Sequence, residues 1–154
     1  MSSLLPWPAP YLTSASWAGV GRLLARCREL DAAGALPGTL LLTSAPGLGR
    51  EAMAIELAAA LICREPRAVC SCTSCDRVRR GIHPDATILD VLPGNKEIKI
   101  DEQVRPLLQG IDQRPYEGRQ RVLIVANAHT PPLNIYSASA LLKTIEEPPA
   151  HLTV

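Results

Sequence analysis

A chain of 154 residues, 47% of them hydrophobic, is long enough for one domain with its own core and too short for two comfortable ones. No apolar run reaches the roughly 18 residues of a membrane helix, and the first ten residues lack the basic start and apolar stretch of a secretory signal; a cytosolic protein with no membrane partner is expected. Sixteen Lys and Arg against 15 Asp and Glu leave a formal charge of +1, so the chain as a whole is not built to bind a polyanion.

Pro6, Pro8 and Pro10 predict an extended arm before the first helix. That helix is expected over 16–31, where Trp17, Val20, Leu24, Cys27 and Leu30 recur at helical spacing and place Cys27 on the buried stripe. Gly34 and Pro37-Gly38 end it. A short buried strand over 39–43 follows, then a glycine-containing turn over 44–49. The helix over 50–63 is apolar on nearly every side and is expected to be covered on most faces. A short basic helix (74–81), a turn at His83-Pro84-Asp85 and a strand over 86–91 come next. Asp101 is placed to cap a helix carrying Val104, Leu107, Leu108 and Ile111, which Pro106 would bend or delay. The run over 121–126 (RVLIVA) is the strongest strand, of the buried parallel type. Ala138, Leu141, Leu142 and Ile145 mark a last helix stopped by Pro148-Pro149, and 152–154 opens another strand. Alternating strands and helices predict an α/β fold, a parallel sheet with helices on both faces. The chain stops inside an element, so the domain over 1–154 is expected to be incomplete before its last strand.

A strand, a glycine-rich turn and a helix form the setting of a phosphate loop, whose working pattern is G-x-x-x-x-G-K-[ST]. Here the stretch reads Ser44-Ala45-Pro46-Gly47-Leu48-Gly49-Arg50-Glu51. Ser44 replaces the first glycine, and Arg50 replaces the compact lysine ammonium with a planar fork. Glu51 sets a carboxylate where a hydroxyl should ligate Mg²⁺. After the 121–126 strand, Asn127 and Ala128 stand where a metal-holding Asp and a water-activating Glu are needed. The turn is either the shell of a phosphate loop without its chemistry or a tight turn of an ordinary α/β domain.

Cys63, Cys70, Cys72 and Cys75 offer four thiolates within thirteen positions, the ligand set of a closed structural zinc site. The expected zinc-binding insertion spans about 63–82 and is too short for a core of its own. Unligated thiols or a disulfide formed on oxidation are the alternatives. His83 is a substitute ligand in principle, but it reads better as part of the turn. Arg77, Arg79 and Arg80 form either a solvated helix face or a phosphate or subunit contact.

Taken in order, these blocks resemble the delta-prime and gamma/tau subunits of the bacterial DNA polymerase III clamp loader. They are the loop SAPGLGR, the cysteine knuckle, His83-Pro84-Asp85, the segment IDEQVR (100–105) and SALLKTIEEPP (139–149). The resemblance implies a P-loop NTPase-like (AAA+) module with a small zinc knuckle. Arg50, Glu51, Asn127 and Ala128 side with delta-prime, which implies a non-catalytic subunit that binds no ATP productively. The implied partners are gamma/tau and delta, with DNA and the sliding clamp reached through the assembled complex in the bacterial cytoplasm. Lys143, Glu146 and Glu147 are expected at an interface or in solvent, Lys143 pairing locally with either carboxylate. An active gamma/tau-type ATPase and a zinc-dependent nucleic-acid-binding module are the competing expectations.

Overall fold

The computed structural model describes residues 18–45, 49–65, 70–128 and 132–154. Along the chain these form α1 (Ala18–Ala32), α2 (Arg50–Ile62), α3 (Thr73–Arg79), β1 (Ala86–Leu89), α4 (Arg105–Gln109), β2 (Arg121–Val125), α5 (Ile135–Glu146) and β3 (Leu152–Thr153). Pro6, Pro8, Pro10, Trp17 and Gly47 lie outside the described residues.

The three strands make one parallel sheet in the order β1-β2-β3, with Ala86 facing Val122 and Arg121 facing Leu152. Because successive side chains of a strand point to opposite faces, β2 feeds two cores. Val122 and Ile124 pack with Leu24, Ile55, Leu61, Ile62 and Val78 of α1, α2 and α3. Leu123 and Val125 pack with Leu89, Ile98, Val104, Leu141 and Leu152 on the other side. Each fully buried leucine or isoleucine contributes about 1.5–3 kcal/mol, so both faces of this small sheet are held.

The strand expected over 39–43 forms no continuous ladder. Leu40 N–H donates to Val154 O and Val154 N–H to Gly38 O, both at 2.8 Å, one step of parallel pairing beside β3. A strand is defined by its backbone neighbour, and among the described residues Val154 alone exchanges backbone hydrogen bonds with this segment. Asp101 does not cap a helix either. A wide π-helical turn at Ile100–Val104 begins after Lys99 and runs into α4, whose second residue is Pro106; a proline lacks the N–H and crowds the preceding turn, which fits a helix that widens just before it.

Helix α2 is the central strut. Its thirteen residues contain no glycine or proline, and Ala58, Ala59 and Ala60 are buried, which lets α1 and α3 approach closely. Arg28 of α1 caps its C-terminus, donating to Ala60 O at 2.8 Å, Cys63 O at 3.4 Å and Glu65 O. Gly118 meets the same end of α2. A Cβ there would lie 2.7 Å from Ile62 Cγ2 and 3.1 Å from Asp85 Oδ2. Gly118→Ala should therefore lower stability by about 1–3 kcal/mol, read as a reduced urea midpoint; an unchanged midpoint would show that the loop gives way freely.

Candidate functional site

The two ends of α2 carry the two sites expected from sequence. At its N-terminus Gly49 adopts φ 74°, ψ 28°, a left-handed conformation suited to glycine, and its carbonyl accepts the Met53 N–H at 2.9 Å. Arg50 and Glu51, the next two residues, pair with each other, Arg50 Nη2 to Glu51 Oε1 at 3.1 Å. Ser44 Oγ donates to the adjacent Ala45 carbonyl at 3.1 Å. Across the sheet end, Asn127 takes φ 52° and its side-chain amide donates to Asp90 Oδ1 at 3.0 Å. A cavity of about 510 Å³ runs between these groups and the 39–43 segment; its walls are apolar, and Arg50, Glu51 and Asn127 sit among its few polar groups.

At the other end, Cys63 caps α2, Cys72 is the N-cap of α3 and Cys75 lies in its first turn. Their ligand atoms and that of Cys70 lie within 4.8 Å of one another, and Cys63 Sγ is 3.7 Å from Cys72 Sγ. Four sulfurs about 2.3 Å from a tetrahedral metal stand about 3.8 Å apart, so this arrangement can hold a metal ion with little movement. The thiols are not equivalent. Burial pushes Cys63 and Cys75 up. Cys72 is drawn down to about 7, first by the backbone N–H of Cys75, which faces its sulfur without completing a cap hydrogen bond. His83 is not a ligand: its side chain is fully buried among other partners.

The arginines after the cluster are not a solvated face. Arg79 donates from Nε and Nη2 to the two carboxylate oxygens of Glu56 at 2.7 and 2.8 Å, both side chains being largely buried. Arg77 pairs with Glu117, and only Arg80 is exposed, 3.6 Å from Asp76. Lys143 and Glu146 of α5 and Glu147 at its C-cap are all exposed. The local pairing of Lys143 with either carboxylate is absent among the described residues.

One cluster has no counterpart in the sequence reading. Asp85, 2% exposed, accepts backbone N–H groups of Tyr116 (2.6 Å), Glu117 (3.0 Å) and Gly118 (2.7 Å). Burial alone raises its pKa, but the three backbone donors outweigh this and hold it below the usual carboxylate value. His83 Nδ1 accepts the Asp85 N–H at 3.1 Å, so the neutral ring carries its proton on Nε2, facing Ser74 Oγ at 2.9 Å and Glu117 Oε1 at 3.2 Å. Burial lowers the His83 pKa, keeping the ring neutral. This network ties α3, β1 and the 115–118 loop together.

A parallel α/β domain with a glycine-containing turn at one end of a buried helix and a four-cysteine cluster at the other is consistent with an AAA+ module. A family described as "DNA polymerase III, delta subunit" matches residues 22–154, and the chain belongs to it. The delta' subunit of DNA polymerase III from Pseudomonas aeruginosa is 35% identical over 111 residues, 70% of this chain and 33% of that protein. The Escherichia coli delta' subunit is 33% identical over 114 residues, 72% and 33% of the two chains. The tau subunit from Salmonella typhimurium is 33% identical over 115 residues, 73% of this chain and 17% of that one. The chain spans about a third of the length of the delta' relatives it matches.

Proposed function

We propose that the chain is the nucleotide-silent AAA+ module of a delta'-type clamp-loader subunit, serving DNA replication from the bacterial cytoplasm. It would work beside gamma/tau and delta subunits and reach DNA and the sliding clamp through the assembled complex. The zinc insertion over about 63–82 has a structural role, since four cysteines leave no open coordination position for chemistry. Lys143, Glu146 and Glu147 form part of a subunit contact; their exposure and lack of mutual pairing support this.

The observation that carries the silent assignment is the Arg50–Glu51 ion pair. In a working loop the cation at the first helical position neutralises phosphate oxygens and the next residue ligates Mg²⁺. Here the cation is engaged by its own neighbour, and the neighbour is an anion that repels phosphate. Ser44 and Gly47 belong by sequence to a loop of the phosphate-binding pattern, and Gly49 supplies a left-handed turn at its end. Asn127, bonded to Asp90, offers no charge to hold a metal, and Ala128 cannot take a proton.

Titration calorimetry with MgATP tests this. The expected result is no heat of binding at protein concentrations of tens of micromolar and no turnover above background. Micromolar, Mg²⁺-dependent binding that disappears in Arg50→Ala would overturn the assignment and favour an active gamma/tau-type ATPase, to which the tau similarity also points.

A further inference from the structure

We propose that His83 is an acid-sensitive latch: taking up one proton breaks its bond to the Asp85 backbone and releases α3 from the start of β1. The proposal does not depend on the nucleotide or zinc readings above. What carries it is the division of work between the two ring nitrogens. Nδ1 accepts the Asp85 N–H at 3.1 Å, so it holds no proton while that bond lasts. Nε2 therefore bears the proton of the neutral ring, facing Ser74 Oγ of α3 at 2.9 Å and Glu117 Oε1 at 3.2 Å. A second proton has only Nδ1 to go to. There it meets the Asp85 N–H, two donors with no acceptor between them.

One side must then move, and the backbone side is fixed. The Asp85 carbonyl accepts the Val122 N–H at 2.8 Å, within the sheet. Its carboxylate holds the N–H groups of Tyr116, Glu117 and Gly118. The polar tie of the ring to α3 is the Ser74 hydroxyl. His83 is 3% exposed, so an imidazolium left in place has almost no water to solvate it. The charges that face the ring do not offset this. Glu117 attracts an imidazolium from the 115–118 loop, but it already pairs with Arg77, which repels one from the side of α3. The Asp85 carboxylate attracts it too, with both oxygens already taken by the loop. Burial outweighs these groups and keeps the ring neutral.

Opening of the latch therefore takes up a proton. The folded ring has its pKa below the ordinary 6.5 and the released ring returns to it, so the latch is at full strength above 6.5. Below that value the released population rises by up to about tenfold per pH unit, levelling off below the folded pKa. This window lies above that of the Asp85 carboxylate, whose pKa is held below 3.8.

Amide exchange of the 154-residue chain, followed by NMR from about pH 7.5 to about pH 5 and corrected for intrinsic rates, tests the latch. Protection of the Asp85 amide and of α3 should fall by up to about tenfold per unit below the ordinary histidine value, with β2 still protected. His83→Asn offers an amide oxygen near the place of Nδ1 and cannot titrate, so its protection should stay flat. Zinc is kept in excess throughout, and any loss of metal in acid acts on both proteins alike. The nitrogen shifts of the wild-type ring report its tautomer and its protonation midpoint without any variant. Equal pH profiles for the two proteins, or a proton on Nδ1 at neutral pH, overturn the latch. Should the variant fail to fold, the wild type decides alone: ring protonation with the Asp85 amide still protected, or loss of protection without ring protonation, overturns it.

Discussion

Stripping bound zinc with a strong chelator should cost the protein about 4 kcal/mol relative to a sample at a thousandfold excess over the dissociation constant. The segment between Cys63 and Gly81 contributes two buried cysteines and Val78 to the core, but it has no core of its own. Among the described residues, Arg79–Glu56, Ser74–His83, Arg77–Glu117 and the bonds of Arg64 to the Glu117 and Gly118 carbonyls also hold it. Loss of the metal should therefore loosen α3 while leaving the sheet intact, seen as faster amide exchange over 70–80 with β2 still protected. Cys75→Ser should reproduce the effect with zinc present, because it removes one of the two buried thiols of the cluster. About one zinc per chain is expected in the wild type. If chelation left both the unfolding curve and the exchange pattern unchanged, the cysteines would be ordinary buried thiols.

Asp85→Ala should destabilise the fold by about 3–5 kcal/mol, a large share of the 5–15 kcal/mol of a typical domain. The substitution removes the acceptor of three backbone N–H groups at once and leaves the 115–118 loop without its anchor. The effect carries a pH signature. The folded-state pKa of Asp85 lies below its ordinary 3.8, so the stabilisation is full above that value and is lost as pH falls through the folded pKa. Wild-type stability should fall over that acid window, and the Asp85→Ala curve should be flatter there. Urea denaturation at a series of pH values decides it: parallel curves for the two proteins would mean that folding leaves the Asp85 pKa unchanged.

The parallel sheet, its strongest strand and the buried α2 were legible because hydrophobic period and punctuation are local properties. RVLIVA has no competing pattern, and Gly49 and Pro148 bound their helices unambiguously. The cysteine cluster was legible because four residues of one type at short spacing have few other purposes. What escaped were pairings between residues far apart. Glu56 stands in the sequence as one of the few charges on an apolar helix, and Arg79 as one of three arginines on a small basic one; only the packing of α2 on α3 joins them. Asp85 looked like a turn residue because its three donors come from a loop some thirty positions later that carries no motif. The 39–43 segment has the composition of a strand, but composition cannot supply the neighbour that makes a ladder.

Every strand contact in this sheet joins distant parts of the chain: Ala86 with Val122, Arg121 with Leu152, and Leu40 with Val154. Such closures spend loop entropy before any contact rewards it. Helices α1 and α2 can form early from local contacts, whereas the sheet waits for residues on both sides of two crossovers. Folding should thus be slow for a domain of this size, with β3 and the pairing of Leu40 to Val154 acquired last. Until then the apolar edge of β2 stands open to other chains, so refolding yield should fall as protein concentration rises.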